Sequence, residues 1–356
     1  MIASRANKRA SKDHKTSKDH KISNVVSPKK KMISLVLKDH VIRYIDSKRP
    51  HLHGVTAFGE HFLESGIIQE GKIIDAARLA SILKECIRKW KIQNREVQFL
   101  VPDSVIIVRK VDIPLEVKDE EIKGHLYLEL GTSLHLPFDN PIFDVDFLEE
   151  KEDKKEILLF AAPEQVVNEY AQILKSVGLK PIAADVSSLA IYRLFYKVYG
   201  DSETTSPEGA TTLSIQFNLQ DVTVSIINHH KLLLVRQFKM NLAIENWEHG
   251  TDRDGTSIPS WVGDEDYLKY EVNVMMSEIE RVINFYSSLI NHQNDGIETF
   301  LLTGDYPYLE DIASDLERTF GKTPLTFHNE LFDTQSKELI IPKYYLTLGL
   351  SLKGGV

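Results

Sequence analysis

The stretch Glu96–Phe138, EVQFLVPDSVIIVRKVDIPLEVKDEEIKGHLYLELGTSLHLPF, decides how the rest of the chain is read. It predicts two strands, Val97–Val101 and Val105–Ile113, separated by a Pro102-Asp103 turn, with Pro114 closing the second. Both runs are almost continuously β-branched or aromatic, the composition of strands buried on both faces. A helix from Lys118 to Leu130 comes next. Ile122, Leu126 and Leu130 form its apolar stripe, Leu128 lies beside them, and Glu120, Glu121 and Lys123 face water. The residues before this block read as half of one α/β layer. Those after it read as a small inserted domain and then a second such half.

At 356 residues the chain exceeds one small core, so two lobes are expected. The net charge of −9 is unevenly placed: residues 1–31 carry ten Lys/Arg against two Asp, a net of +8, which leaves −17 on the remainder. An acidic body argues against nucleic acid as a ligand, because phosphates are held by clustered Lys and Arg. The single cysteine, Cys86, excludes an internal disulfide and is expected as a buried, inert thiol. No apolar run reaches the roughly 20 residues that span a bilayer, and no signal-peptide core follows the basic start, so a cytoplasmic location is expected.

The first 31 residues repeat SKDHK at Ser11–Lys15 and Ser17–Lys21 and end in Pro28-Lys29-Lys30-Lys31. With almost no large apolar residues they are expected to be disordered. Their Asp-His pairs are not expected to bind metal, and a solvated tail is favoured over lipid contact. The globular pattern opens at Met32 abruptly enough to suggest an alternative start of translation.

From Met32 the pattern gives strands Ile33–Leu37, Val41–Asp46 and about His51–Phe58, then an extended excursion over Phe62–Asp75. Asp75 caps a helix Ala76–Trp90 with one apolar face. After Phe138 come strands near Phe143–Leu148 and Glu156–Ala161. A helix opened by Pro163 is next, then the strand Pro181–Val186 and the helix Ser187–Val198. A Ser/Thr/Pro/Gly stretch, Asp201–Ala210, marks a boundary. Strands Leu213–Phe217, Asp221–Ile227 and Leu232–Phe238 then repeat the opening meander. A loop Asn241–Gly263, a long helix capped by Asp264 or Asp266, the strand Glu298–Leu302, a helix Tyr308–Phe320, a short strand Pro324–Phe327 and a last helix Tyr345–Leu352 complete the chain.

A meander, a helix and further strand, used twice, is the organisation of actin-like ATPases, and several segments resemble the PilM family of type IV pilus assembly proteins. They are VPDSVIIVRKVDIP (101–114), LELGTSLHLPFD (128–139), ILLFAAPEQVVNEYAQILKSVGLKPIAADVSSLAIYRLF (157–195) and SEIERVINFY (277–286). The resemblance runs from Met32 to Leu352. It implies an α/β, actin-like (ribonuclease H-like) duplicated two-lobe fold with an inserted small α+β domain. The expected division is a tail (1–31), a first lobe (32–115), the insert (116–180), a return to the first lobe (181–200), a second lobe (211–345) and a C-terminal helix and tail (346–356).

The family's nucleotide turns are where this chain departs. A phosphate-binding hairpin needs a carboxylate for a metal-bound water, then small residues that let backbone N–H groups reach the phosphates. The matching positions here carry Val36 for the acid and Lys38 for the glycine, followed by Asp39. In the second hairpin Gln216 replaces the acid and Asn218 the glycine, and the glycine pair of the adenosine turn becomes Gly304-Asp305. Asp185 is the remaining acid expected near the cleft. ATP hydrolysis is therefore not expected, no cofactor is required, and any ATP/Mg²⁺ binding at Lys38, Asp39, Asp185, Gln216, Asn218 and Gly304 is expected to be weak. No catalytic or metal residue is assigned: His229-His230 reads as a hairpin turn, and no Walker loop, Gly-x-Ser-x-Gly or His-Glu-x-x-His occurs.

The resemblance implies a scaffold at the inner face of the cytoplasmic membrane. Its partner would be the N-terminal cytoplasmic segment of a PilN-like membrane protein, held between the first lobe and the insert, with Leu134, Leu136 and Phe138 nearby. Other pilus or secretion ATPase components are further candidate partners. The alternatives are an actin-like ATPase that switches with nucleotide and, from another class, a sugar- or acetate-kinase-like enzyme, which would need intact phosphate turns.

Overall fold

The structure is a computed structural model and describes residues 32–200, 210–251, 257–289, 296–327, 332–335 and 337–354. The expected basic tail lies outside these residues, as does nearly all of the expected boundary segment 201–210.

The first lobe opens with an antiparallel meander, β1 (Met32–Leu37), β2 (Val41–Ser47) and β3 (Val55–Phe62), followed by a small hairpin, β4 (Ile68–Gln69) and β5 (Lys72–Ile73). Helix α1 (Ala76–Trp90) starts at Asp75, whose carboxylate accepts the Arg78 N–H at 2.8 Å, and buries Leu79, Leu83, Cys86 and Ile87. Cys86 is buried as expected, and burial pushes its thiol up to about 11. Strand β6 (Glu96–Leu100) then runs parallel to β1 in the centre of a five-stranded sheet.

The second strand of the deciding stretch leaves that sheet. β7 (Ile107–Pro114) pairs instead in a separate three-stranded sheet of order β7-β9-β8, so it is an edge strand and not a doubly buried one. Its outward Arg109, Lys110 and Asp112 and its terminal Pro114 are the residues that edge strands carry. Helix α2 (Ile122–Glu129) is shorter than expected, and its stripe is narrower: Ile122 and Leu126 are buried, whereas Leu128 is 80% exposed.

The small sheet is completed by β8 (Pro141–Glu150) and β9 (Lys154–Pro163). Central β9 is apolar on both faces. Leu158, Phe160 and Ala162 join the first-lobe core, while Ile157, Leu159 and Ala161 join a smaller core under α2. Helix α3 (Glu164–Ser176) packs with the first-lobe core through Val167, Tyr170, Ile173 and Leu174. The expected limits of the insert, 116 and 180, therefore do not follow the sheets: β7 lies in the small sheet, and α3 packs with the lobe. Strand β10 (Lys180–Asp185), parallel to β6, and helix α4 (Ser187–Tyr199) end the first half.

The second lobe repeats the plan with β11 (Thr211–Phe217), β12 (Asp221–Asn228) and β13 (Lys231–Lys239), in the sheet order β13-β12-β11-β16. The segment expected as a loop over 241–263 contains a hairpin, β14 (Trp247–Thr251) and β15 (Ser257–Trp261), in which Trp247 and Trp261 meet edge to face. Helix α5 (Glu265–Leu289) is capped by Asp264, which accepts the N–H groups of Asp266 and Tyr267. Strand β16 (Ile297–Thr303) lies parallel to β11, as β6 does to β1, and a bridge from Leu301 to Leu325 extends the sheet beyond it. Helix α6 (Leu309–Phe320) packs on β16 and completes the lobe, whereas α7 (Tyr345–Ser351) returns to the first lobe and packs on α4 and across β1, β2 and β6. Ala190 of α4 and Leu350 of α7 close an apolar seam on Val36 and Leu100 of the first-lobe sheet, while Ile191, Leu194 and Leu348 of the same helices cluster with Leu301 of β16, so these helices lie at the junction of the lobes.

Candidate functional site

The two meanders bring their first turns together. Lys38 N–H donates to Val41 O at 2.9 Å in one turn, and Asn218 N–H to Asp221 O at 2.9 Å in the other. Beside them lies a cavity of about 640 Å³, lined among others by Lys38, Asp39, Asp103, Ser187, Asp221 and Lys239.

The residues expected at a nucleotide site divide. Lys38 and Asp39 line the cavity, whereas Asp185, Gln216, Asn218 and Gly304 do not. The Lys38 ammonium is buried, 3.8 Å from the Asp221 carboxylate, and makes no hydrogen bond among the described residues. Asp39 accepts the N–H groups of Glu70 (2.5 Å) and Gly71 (3.0 Å), which ties the β4–β5 turn to the cavity rim. Asp185 is fully buried and paired with Arg193 (2.9 Å) and Lys353 (3.1 Å), so it joins α4 to the end of the chain behind the cleft. Asn218 Nδ2 donates to Asp221 at 2.8 Å, within its own turn.

Gln216 belongs to a polar chain that crosses between the lobes. Its Nε2 donates to Ser187 Oγ at 3.1 Å, Ser187 donates to Asp103 at 2.6 Å, and Thr223 of the second lobe donates to the same carboxylate at 3.3 Å. Burial, with nearby Asp221, pushes the Asp103 carboxyl up to about 6 against the opposing pull of Ser187, Lys38 and Thr223.

Gly304 has φ +134, and a Cβ there would sit 1.8 Å from Phe217 O, so the turn after β16 packs directly on the end of β11. That contact delivers Asp305 to the lobe junction. Its carboxylate accepts Arg43 Nη1 at 2.6 Å, His40 Nε2 at 3.0 Å and the Leu219 N–H at 3.2 Å. Burial alone would push this carboxyl up, but Arg43 and His40 outweigh it and hold it well below the usual carboxylate range. Arg43 also donates to Glu60 at 3.0 Å, and Glu60 pairs with Lys343.

A second concavity, of about 630 Å³, lies on the small domain between the length of β7, helix α2 and Leu134. Of the residues expected near a partner, Leu134 is buried in the small core, and Leu136 and Phe138 are half-buried against it. Of the three, Leu134 lines this groove and Leu136 and Phe138 do not. Arg109 reaches over to His135 O at 3.0 Å.

The family described as "Type IV pilus assembly protein PilM" matches residues 39–241, more than half of the chain, from the first cleft turn through the second meander. The chain belongs to the PilM family. A solved "PilM-PilN type IV pilus biogenesis complex" shares the PilM fold seen here: it aligns at 16% identity over 92% of this chain and 99% of that one, with a TM-score of 0.70. Fainter likenesses, at a TM-score of 0.45 and 10% identity, include the ethanolamine utilization protein EutJ from Carboxydothermus hydrogenoformans (94% of each chain) and MreB5 of Spiroplasma citri bound to ADP (92% of this chain, 97% of that one). No curated protein matches the sequence. The actin-like, duplicated two-lobe fold with its inserted small domain is thus that of PilM proteins.

Within this PilM cleft, sequence reasoning missed His40, Arg43, Asp103, Ser187 and Asp221. Arg43 did carry a signal, since it is the one charged residue in the apolar run VIRYI and is buried there. A charge that deep needs a partner. Its partner Asp305 lies 262 positions away, and no local pattern joins them. Among the described residues no three His, Cys, Asp or Glu side chains are grouped to hold a metal ion.

Proposed function

We propose that this PilM-family chain is a scaffold without ATPase activity in a type IV pilus or related secretion or DNA-uptake machine. Its partner is the cytoplasmic N-terminal segment of a PilN-like membrane protein. The observation that carries the reading is Asp305, a buried carboxylate on Arg43, His40 and Leu219 N–H, placed where the family's turn carries glycine. A magnesium triphosphate does not fit these residues. Val36 lies in the apolar seam, Gln216 is spent on Ser187, and Asp39 is held by the β4–β5 turn. The donors at the junction already face a negative charge.

The partner is supported by the likeness to a protein solved with PilN and by the groove along β7. A sheet edge beside a helix suits an extended peptide, which adds main-chain hydrogen bonds to the edge and places alternate side chains in the groove. No helix among the described residues is long and apolar enough to cross a membrane. The chain is accordingly held at the inner face of the cytoplasmic membrane by its partner.

Lys38 favours one competing reading, a nucleotide-dependent switch, because its buried ammonium makes no hydrogen bond among the described residues and lines a cavity of about 640 Å³. Calorimetric titration separates the two. ATP with Mg²⁺ is expected to give no binding heat, whereas a synthetic PilN-like N-terminal peptide binds and loses binding on Ser133→Trp, a substitution at the exposed groove rim. Micromolar ATP binding that disappears in Lys38→Ala would overturn the scaffold reading. A peptide that stays unbound at high micromolar concentration would remove the partner.

A further inference from the structure

The Asp305 cluster gathers what an anion-binding site needs from parts of the chain that are far apart in sequence. His40 and Arg43 come from the first-lobe hairpin, and the Leu219 N–H comes from the second-lobe turn. The Arg43 side chain is 6% exposed and that of Asp305 is 3% exposed, so water does little to screen the pair. Nearby Lys38 adds to the positive potential at this point. Both carboxylate oxygens are used, one on the cationic side chain and the imidazole, the other on a backbone N–H. A phosphate or sulfate oxyanion bound by a protein is held by the same kinds of donor.

We propose that the junction of the two lobes is an oxyanion-binding pocket, that the Asp305 carboxylate is its built-in occupant, and that this occupancy latches the lobes together. The close approach at Gly304 makes the arrangement possible. Any side chain there would push the turn off Phe217 and withdraw the carboxylate from the Leu219 N–H. Glu60 meets the other edge of the Arg43 guanidinium and pairs with Lys343, which fixes the guanidinium in orientation. Shortening Asp305 leaves Arg43 and His40 as buried donors facing a hole the size of a carboxylate. Arg43 keeps Glu60 but loses one of its two carboxylates in a buried setting, which is destabilising, and a free oxyanion of the right size relieves it. The inference stands whether or not a PilN-like peptide binds the small domain.

Thermal unfolding of three proteins in sodium phosphate, sodium sulfate and sodium chloride, matched for ionic strength, tests this. Asp305→Ala is expected to unfold roughly 5–10 °C below the native chain in chloride and to recover part of that loss in phosphate or sulfate. The native chain, with its pocket already filled, shows no such preference for the oxyanions. Asp305→Asn fills the space without the charge, so its midpoint falls but phosphate does not restore it. Hydrogen exchange in that variant is expected to accelerate at both the β1–β2 and the β11–β12 turn. Equal stabilisation of native chain and Asp305→Ala by phosphate overturns the proposal, as does an Asp305→Ala protein that phosphate leaves unchanged. If Asp305→Ala does not accumulate folded, Asp305→Asn decides alone: an unchanged midpoint, or faster exchange in only one turn, sinks the latch.

Discussion

Asp103 shows how one side chain can report on the lobe junction. Its carboxyl is pushed up to about 6, by burial first and by Asp221 second, despite hydrogen bonds from Ser187 and Thr223 and the nearby Lys38 ammonium. A carboxyl with a higher pKa folded than unfolded binds its proton more tightly in the folded state. Its contribution is therefore complete below the unfolded value near 4 and is lost as pH rises through about 6. Stability of the native chain relative to Asp103→Asn should fall by about 2–2.5 kcal/mol between pH 4 and pH 7. Urea titrations of both proteins across that range measure it, and a difference that grows with pH would contradict the burial argument. Gly304 gives a second expectation at the same scale. With φ +134 and a Cβ position 1.8 Å from Phe217 O, Gly304→Ala cannot be absorbed by a rotamer change. Its urea midpoint is expected to fall by the equivalent of about 3 kcal/mol or more.

Individual elements differ in how plainly the sequence announces them. The meanders were legible because Leu35, Leu37, Ile42 and Tyr44 recur at strand spacing and the turn at Lys38-Asp39 is short. Helix α1 was legible from Asp75 and its single apolar face. β7 was misread for a physical reason: VIIV looks like a central strand, and only Arg109, Lys110, Asp112 and Pro114 say edge. The β14–β15 hairpin was missed because Gly250 and Pro259 punctuate a stretch whose strand signal resides in a cross-strand pair, Trp247 on Trp261. Leu134 makes the same point for the candidate site. Its place in LELGTSLHLPF suggested a partner contact, yet it is buried with Ile122, Leu126 and Phe143. Leu134→Ala should thus destabilise the chain by about 2–4 kcal/mol in urea titration, as core truncations do. A variant of native stability that had lost only peptide binding would restore Leu134 to the binding surface.

For the molecule as a whole, what matters is which contacts make two similar lobes behave as one body. The duplicated plan could be seen in the sequence, because each lobe writes its own meander. The contacts between lobes could not, because Asp103 meets Thr223 across 120 positions and Arg43 meets Asp305 across 262. Beside the Asp305 cluster, two further polar contacts of different kinds cross the junction. Lys239–Glu70 is an ion pair with both side chains about half exposed, and such pairs contribute at most about 1 kcal/mol. Gln216 and Ser187 of the polar chain to Asp103 are buried, and removing Ser187 leaves the Gln216 amide without that acceptor and takes one of two hydroxyl donors from Asp103. Ser187→Ala is therefore expected to destabilise the protein by about 1–3 kcal/mol, against at most about 1 for Lys239→Ala. Denaturant midpoints for the two variants, taken in low and in high salt, compare these contributions. If Lys239→Ala proved the more damaging, and the more so at low salt, surface charge would contribute more to joining the lobes than the buried polar chain does. The buried contact is the one that salt does not loosen, so its contribution is expected to be the same in low and in high salt.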